Sequence, residues 1–194
     1  MSKENIQRTA LKISFLGDSG TGKTSIIFRF LNNKFTESYL TTIGIEKNDK
    51  IMKMKDGNKM KVILWDTAGQ ERFKSMTNTP IKTSQGIALV FDLTKKETFD
   101  NLDSWVKSIK ENNNTAPIVL FGNKCDNIDN IVVNTDDIEQ YAKEKEMTYF
   151  ETSAKEDINI KKGLETLIEE AYQKAGGEDG MQLKKGKKKK KGKC

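Results

Sequence analysis

Short apolar runs alternate with segments of helical spacing along this chain. The runs at residues 11–16, 86–91 and 118–122 are rich in β-prone side chains and predict strands. Between them, apolar side chains recur every three or four positions, as in residues 98–111 and 164–171, which predicts helices that pack on a sheet. This alternation predicts an α/β fold with a doubly wound, mostly parallel sheet.

One hairpin interrupts the alternation. Residues 51–54 and 60–64 flank Asp56-Gly57, a strong signal for a tight turn between antiparallel strands. We therefore expect a six-stranded sheet with one antiparallel hairpin strand. The length suits one domain, which we expect at residues 9–175, after an N-terminal extension of residues 1–8.

The first predicted strand leads into Gly17–Thr24, which fits the pattern G-x-x-x-x-G-K-[ST]. Glycines let such a loop wrap closely, so that its N–H groups and the following helix N-terminus converge on a polyphosphate. Lys23 would reach the β and γ oxygens, and Thr24 would offer its hydroxyl to Mg²⁺. The alternative is a Gly-rich turn that binds nothing. The phosphate-loop interpretation predicts further nucleotide contacts at Ser19, Gly20, Gly22 and Ser25.

A second motif, Asn123-Lys124-Cys125-Asp126, follows the apolar run at 118–122. The Asp126 carboxylate would accept hydrogen bonds from N1–H and the 2-amino group of guanine, which adenine lacks. By itself this short motif is equally compatible with a polar turn. Its position at the carboxyl end of a predicted parallel strand, about a hundred residues after the phosphate loop, favours a guanine site.

Residues 65–73, which read WDTAGQERF, follow the predicted strand at 60–64. Asp66 suits a carboxylate that steadies Mg²⁺ through water, and Thr42 is a candidate second hydroxyl ligand. Gly69 offers an N–H to a γ-phosphate, and Gln70 would orient an attacking water. Residues 151–155 end the last predicted strand and would present a backbone N–H to the guanine carbonyl.

With these motifs in this order, the chain resembles a Ras-superfamily small GTPase with the P-loop NTPase fold, and residues 65–73 resemble the Rab branch. The resemblance covers residues 9 to about 175. It implies catalytic roles for Gln70 and Lys23, and it implies that Phe35 packs against guanine, although the pattern alone favours an ordinary core phenylalanine. It also implies nucleotide contacts from Asn123, Lys124, Asp126, Ser153, Ala154 and Lys155.

The net charge of +6 lies in the tail. Eight of the 34 basic residues fall within 184–193, which leaves 26 basic against 28 acidic residues elsewhere. The globular part is therefore near neutral and does not favour nucleic acid as a partner. Residues 176–194 are rich in Gly and Lys with little to bury, which predicts a disordered tail.

Three interpretations of the lysine-rich tail and its terminal Cys194 remain open. The tail is a solvated segment, a nuclear or nucleic-acid signal, or a membrane anchor in which Cys194 is prenylated and the lysines bind anionic lipid. Resemblance to Rab proteins favours the anchor. The usual pair of terminal cysteines is replaced here by one cysteine with nothing after it.

Other features bear on the compartment. Two cysteines, Cys125 and Cys194, do not make a disulfide framework, which favours a reducing compartment. The first residues are polar, Ser2 does not suit N-myristoylation, and no apolar run approaches the ~18 residues of a membrane span. We expect a protein on the cytosolic face of an endomembrane or the plasma membrane that cycles with the cytosol.

The resemblance implies a GTP-hydrolysing switch in vesicle traffic, with Mg²⁺ and bound GTP or GDP. Its implied partners are an exchange factor, a GTPase-activating protein, a GDP-dissociation inhibitor and GTP-dependent effectors, around a monomeric G domain. A nucleotide-holding scaffold and a nuclear transport GTPase of the Ran type are the competing functions. Retention of Thr42 and Gln70 disfavours the scaffold, and the basic tail disfavours the Ran type, whose tail is acidic.

Effector-facing positions depart from the Rab pattern. Lys47 stands where Rabs usually carry an aromatic residue, and residues 80–84 differ from the usual Tyr-Tyr-Arg-Gly-Ala-like stretch. Of three exposed aromatics that many Rab effectors contact, Trp65 alone remains, so we expect standard effectors to bind poorly. Pro80 lacks an N–H, which predicts that its helix ends at about Asn78 or Thr79.

Overall fold

The computed structural model describes residues 10–36, 42, 44–68 and 74–176. The predicted extension at 1–8, the tail from 177 onward with Cys194, and the switch residues Gly69 and Gln70 lie outside these described residues. Within the described ranges, no helix is both long enough and apolar enough to cross a bilayer.

A six-stranded sheet with the order β2-β3-β1-β4-β5-β6 forms the centre of the domain. Every neighbouring pair is parallel except β2 and β3, which are antiparallel. The predicted fold class, with its hairpin turn at Asp56-Gly57, is therefore confirmed. The strands are β1 (Leu11–Leu16), β2 (Ile45–Lys53), β3 (Lys59–Thr67), β4 (Gly86–Asp92), β5 (Ile118–Asn123) and β6 (Thr148–Thr152).

Helices cover both faces of this sheet. One core lies between the sheet and α1 and α6, and the other lies between the sheet and α2, α4 and α5. β4 is buried along its whole length because it lies between these two layers. The helices are α1 (Lys23–Asn32), α2 (Lys74–Thr83), α3 (Lys96–Asp100), α4 (Leu102–Asn112), α5 (Thr135–Glu144) and α6 (Ile160–Lys174).

Two helix predictions need correction. The single helix expected at 98–111 is two helices, α3 and α4, which meet at Asn101. Pro80 does not end its helix, because α2 continues to Thr83 and the Ser84 N–H donates to the Pro80 carbonyl at 3.0 Å. Pro80 and the neighbouring Ile81 are buried, and this burial offsets the hydrogen bond that proline cannot make.

Candidate functional site

The predicted site residues meet at one edge of the sheet. Strands β1, β3, β5 and β6 all end there, because β1 is parallel to β3 and to β4, and β4–β5 and β5–β6 are parallel pairs. The phosphate loop follows β1, and Asp66 is the last residue but one of β3. The base motifs lie at the ends of β5 and β6. This is the edge at which open parallel sheets bind their ligands.

Two glycines of the phosphate loop are required by close packing. Gly17 has a φ of +130°, and a Cβ there would lie 2.0 Å from the Val90 carbonyl oxygen. Gly22 has a φ of +97°, and a Cβ there would lie 2.2 Å from the Asn123 side-chain nitrogen. The loop therefore turns tightly against β4 and β5. Within it, Ser19 and Gly20 are exposed, and Ser25 is half-buried at the start of α1.

Lys23 is the buried cation of the site, with 5% of its surface exposed. Its Nζ donates to the carbonyls of Gly17 at 2.8 Å and Asp18 at 2.7 Å. Burial lowers the pKa of Lys23 to about 8, although the charges of Asp66 and Asp18 act in the opposite direction. The folded chain therefore holds a desolvated ammonium group that an anionic ligand would stabilise.

Two hydroxyl groups and one carboxylate converge next to Lys23. The Thr24 hydroxyl donates to Asp66 Oδ2 at 2.6 Å and lies 2.9 Å from the Thr42 hydroxyl. Asp66 Oδ1 is buried and has no hydrogen-bond partner among the residues that the structure describes. Desolvation raises the pKa of Asp66, while the hydrogen bond from Thr24 lowers it less strongly.

This arrangement fits a hard divalent cation. Mg²⁺ prefers oxygen ligands, and the two threonine hydroxyls with Asp66 offer oxygen atoms only. An orphaned buried carboxylate oxygen is unfavourable without a positive partner, which a cation or its water would supply. The sequence-predicted magnesium ligands therefore lie together in the structure.

A cavity of about 390 Å³ lies beside the start of α1, between the loops that follow β5 and β6. Its walls contain most of the residues that the sequence assigns to the base. They are Gly22, Ser25, Phe35, Asn123, Lys124, Asp126, Asn127, Ala154 and Lys155.

Polar side chains around this cavity bind one another. Asn123 Nδ2 donates to the Thr21 carbonyl at 2.9 Å, and its Oδ1 accepts from the Ala154 N–H at 3.3 Å. The Ser153 hydroxyl donates to Asp126 Oδ1. Asn123 thus joins the phosphate loop to both base loops, and the cavity walls are positioned by the protein itself.

Phe35 meets both interpretations that the sequence left open. Its ring packs against the edge of the core between α1, α6 and the sheet, and it also lines the cavity. The Arg29 guanidinium lies 6.0 Å from the centroid of this ring. An aromatic wall of this kind is suited to the flat face of a base.

Several residues around the site were not found from the sequence. Asp18 accepts from Asn101 Nδ2 and from Trp105 Nε1, each at 2.8 Å, so the start of α4 holds the phosphate loop. Asp92 is fully buried and forms an ion pair with Lys124. Their signal in the sequence is weak, because Asp18 occupies a position of the phosphate-loop pattern that any residue may fill, and Asp92 is a single polar residue with no motif around it.

Trp65 differs from expectation. It is only 8% exposed, so it is not the exposed aromatic that the sequence suggested. Lys47, its neighbour across the β2–β3 pair, carries its Nζ 4.7 Å from the indole centroid, and Lys12 Nζ lies 5.6 Å from it. Two ammonium groups therefore cover the ring in place of a partner's side chains.

Comparison with known proteins finds relatives over most of the chain. The sequence profile of the Ras family matches residues 12–173. The chain is 43% identical to Ras-related protein Rab-10 of Diplobatis ommata, over 84% of this chain and 82% of that protein. It is 40% identical to Ras-related protein Rab-13 of Rattus norvegicus, over 86% and 82%. It is also 41% identical to Ras-related protein Rab-1 of Theileria annulata, over 80% and 71%.

Proposed function

The chain belongs to the Ras family, in its Rab branch, and on that premise we propose that it is a GTP-hydrolysing switch in vesicle traffic. The GTP-bound form would recruit effectors to a membrane, and hydrolysis to GDP and phosphate would release them. Intrinsic turnover would be slow, so regulators would set the timing of the switch.

One observation carries this proposal. At the start of α1, the buried Lys23 adjoins Thr24, whose hydroxyl belongs to the oxygen cluster with Thr42 and Asp66. Gly22 and Ser25, on either side of these two residues, line the cavity together with Asn123 and Asp126. A guanine nucleotide with its metal carries groups that suit both parts of this site, namely a flat base with hydrogen-bond donors and an anionic polyphosphate that binds a cation. The phosphates would restore a favourable environment for the Lys23 ammonium group.

Each half of the site has its own task in this proposal. Asp126 would accept hydrogen bonds from the guanine N1–H and 2-amino group, and Phe35 would pack on the ring. Of the 153–155 loop, the Lys155 N–H would meet the guanine carbonyl, because the Ser153 N–H donates to the Ile158 carbonyl at 3.1 Å and the Ala154 N–H donates to Asn123 Oδ1 at 3.3 Å. The N–H groups that begin α1 and the Lys23 ammonium would hold the phosphates.

Thr24 and Thr42 would hold Mg²⁺ directly, and Asp66 would hold it through water. When bound, Mg²⁺ supplies charge neutralisation at the β and γ oxygens. Lys23 would add its own positive charge there, Gln70 would orient the attacking water, and the Gly69 N–H would contact the γ-phosphate. Contacts of Thr42 and Gly69 with the γ-phosphate side would differ between the GTP and GDP states, which is what a switch requires.

Regulators and effectors of some kind accompany membership in the Rab branch. For this chain we expect an exchange factor, a GTPase-activating protein and a GDP-dissociation inhibitor, with a monomeric G domain. Prenylation of Cys194 and attraction of the tail lysines to anionic lipid would together anchor it to a membrane, because a single lipid chain binds only marginally. Residues 9–175 would form the switch domain and 176–194 the anchor.

Standard Rab effectors would bind this chain poorly. The indole of Trp65 is covered by Lys47 and Lys12, so an effector that inserts apolar side chains there would have to displace two charged groups. Burial of apolar anchors supplies much of the energy of such interfaces, and ammonium groups do not replace it. A pull-down with GTP-loaded protein tests this, and capture of broad-range Rab effectors at ordinary levels would contradict it.

Single-turnover hydrolysis tests the enzymatic proposal. Purified protein is loaded with GTP labelled on its γ-phosphate, Mg²⁺ is added, and phosphate release is followed. A control sample is incubated with labelled ATP in the same way. We expect slow release from GTP and no stable ATP complex. Gln70→Leu should keep GTP affinity while slowing release at least about tenfold, roughly 1.4 kcal/mol of barrier.

The result separates the switch from the nucleotide-holding scaffold. A wild-type protein that binds GTP tightly and releases no phosphate over many hours would support the scaffold. An equal release rate in Gln70→Leu and wild type would remove Gln70 from its assigned task. Intact-mass spectrometry of protein from its native cell tests the anchor, since an unmodified Cys194 contradicts it.

A further inference from the structure

Arg29 lies in the last turn of α1 and reaches away from its own helix. Its Nε donates to the Ala154 carbonyl at 2.8 Å, and its Nη2 donates to the Lys155 carbonyl at 2.6 Å. Both acceptors belong to the loop after β6, more than a hundred residues further along the chain. One side chain of α1 thus binds two consecutive carbonyls of a base loop.

That loop has hydrogen bonds of its own at its two ends and one inside it, from the Glu156 N–H to the Ser153 hydroxyl at 2.9 Å. Ser153 and Ile158 exchange two backbone hydrogen bonds, of 3.1 and 3.0 Å, as an isolated antiparallel bridge. Between them, the Ala154 and Lys155 carbonyls receive their hydrogen bonds from Arg29. The part of the loop that lines the cavity therefore depends on Arg29 for its attachment to α1.

The same guanidinium reaches a second wall of the cavity. It lies 6.0 Å from the centroid of the Phe35 ring, and its Nη1 donates to the Asn33 carbonyl at 3.3 Å. Arg29 therefore touches the loop at one side of the cavity and the aromatic ring at another. Because α1 begins at Lys23, this contact also links the cavity to the phosphate end of the site.

We propose that Arg29 is a positioning residue for guanine recognition. It binds the carbonyl of the Ala154–Lys155 peptide and so holds the Lys155 N–H where it meets the guanine carbonyl, and it holds Phe35 against the face of the guanine ring. This inference rests on the proposed guanine site and goes beyond it, because Arg29 is not among the residues that line the base cavity.

The guanidinium fork is the reason that arginine suits this position. Its several N–H donors are held in one plane, so it binds two neighbouring carbonyls and lies beside a ring at the same time. A lysine at this position keeps the charge, and one ammonium group can bind two carbonyls, as Lys23 does, but it lacks the planar fork that binds both carbonyls and lies beside the Phe35 ring at the same time. The proposal therefore depends on the fork and not on charge alone.

The test uses GDP and 6-thio-GDP on the full chain with Mg²⁺. Sulfur is a weak acceptor, so the preference for GDP over 6-thio-GDP measures how well the loop N–H groups meet the carbonyl. We expect Arg29→Gln to release GDP about tenfold faster and to lower that preference toward one. Arg29→Lys should behave more like Arg29→Gln than like wild type.

Lys50→Gln is the matched control. Lys50 donates to the Phe30 carbonyl at 2.9 Å and lies 4.5 Å from the Phe30 ring centroid. Phe30 does not line the base cavity, whereas Phe35, Ala154 and Lys155, which Arg29 contacts, all line it. This control should keep the GDP preference even if its melting temperature falls. A purely structural role for Arg29 would likewise lower stability without moving the preference.

The outcomes are distinct. An unchanged GDP preference in both Arg29 variants overturns the proposal, as does a wild-type preference in Arg29→Lys. If Arg29→Gln does not fold, the result for Arg29→Lys decides. A wild-type protein that binds ADP as tightly as GDP would refute the guanine site itself, which is a separate failure.

Discussion

On the guanine side of the site, the polar side chains form hydrogen bonds with other parts of the protein, whereas on the phosphate side one buried carboxylate oxygen has no partner among the described residues and one ammonium group is desolvated. Asn123, Asp126 and the 153–155 loop are joined by hydrogen bonds to one another and to Arg29. On the phosphate side, Asp66 Oδ1 is a buried orphan among the described residues, and burial lowers the pKa of Lys23 to about 8.

This difference separates recognition from switching. A base pocket that is already assembled loses little order when guanine binds, which favours selectivity. On the phosphate side, the desolvated Lys23 ammonium group would be stabilised by anionic phosphates, and the buried Asp66 carboxylate would be stabilised by a cation. Binding there therefore depends strongly on the charge of the ligand. The half that would contact the γ-phosphate is therefore the half whose charged groups gain most from the bound ligand.

The largest expected effect comes from Lys23→Met. Loss of the buried cation should weaken GDP and GTP binding at least about a hundredfold, since truncating one partner of a buried charge pair costs about 3 kcal/mol or more. The melting temperature of nucleotide-free protein should fall little, because removal of the desolvated charge offsets the loss of the hydrogen bonds to the Gly17 and Asp18 carbonyls. Fluorescent-nucleotide titration and thermal melts measure both quantities.

A matched change on the guanine side sharpens this test. Asn123→Ala removes bonds that the protein already makes without ligand, so it should lower both nucleotide affinity and the melting temperature. Equal melting losses in Lys23→Met and Asn123→Ala would contradict the contrast between the two halves.

Removal of Mg²⁺ by EDTA should have the next largest effect. GDP should dissociate at least about tenfold faster, because the β-phosphate loses a cation on the side of Thr24 and Asp66. The preference for guanine over adenine should stay unchanged, since the base pocket has its own hydrogen bonds. Stopped-flow measurements of GDP release, with ADP as the competitor, give the dissociation rate and the preference for guanine. A loss of this preference in EDTA would contradict the proposed difference between the two sides of the site.

Asp126→Asn should change which base the protein prefers without altering the contacts with the phosphates. The amide places a donor where guanine also has donors, so GTP binding should weaken about tenfold or more. Xanthosine triphosphate should gain, because its 2-oxo group accepts from the new amide. Competition between the two nucleotides measures the shift, and an unaltered preference for GTP would reject this position for Asp126.

Trp105→Phe should have the smallest effect. It removes the 2.8 Å hydrogen bond to Asp18 and keeps most of the buried ring, so the phosphate loop loses one of its two supports from the start of α4. A single hydrogen bond of about 1 kcal/mol corresponds to roughly fivefold faster GDP release. Release kinetics at constant Mg²⁺ measure this, with the base preference as the internal control.

Local patterns were sufficient for most of the fold. The apolar runs of β1, β4 and β5 and the Asp56-Gly57 turn lie where the sequence predicted them, because strands and tight turns depend on neighbouring residues. Pro80 shows the limit of such patterns. Its local preference is to end a helix, but burial in the core beneath α2 outweighs the lost hydrogen bond.

The sequence by itself determined the guanine-nucleotide motifs and their common edge, because each motif is a short run at the end of a predicted strand and parallel strands end together. Only the tertiary structure decided how those motifs are supported. Arg29 and the 154–155 carbonyls, Asp18 and Trp105, and Lys47 over Trp65 are pairs that no local periodicity relates. The separation of Arg29 from Ala154 is 125 residues, so their contact exists only once β6 is paired with β5 and α1 is packed on the sheet.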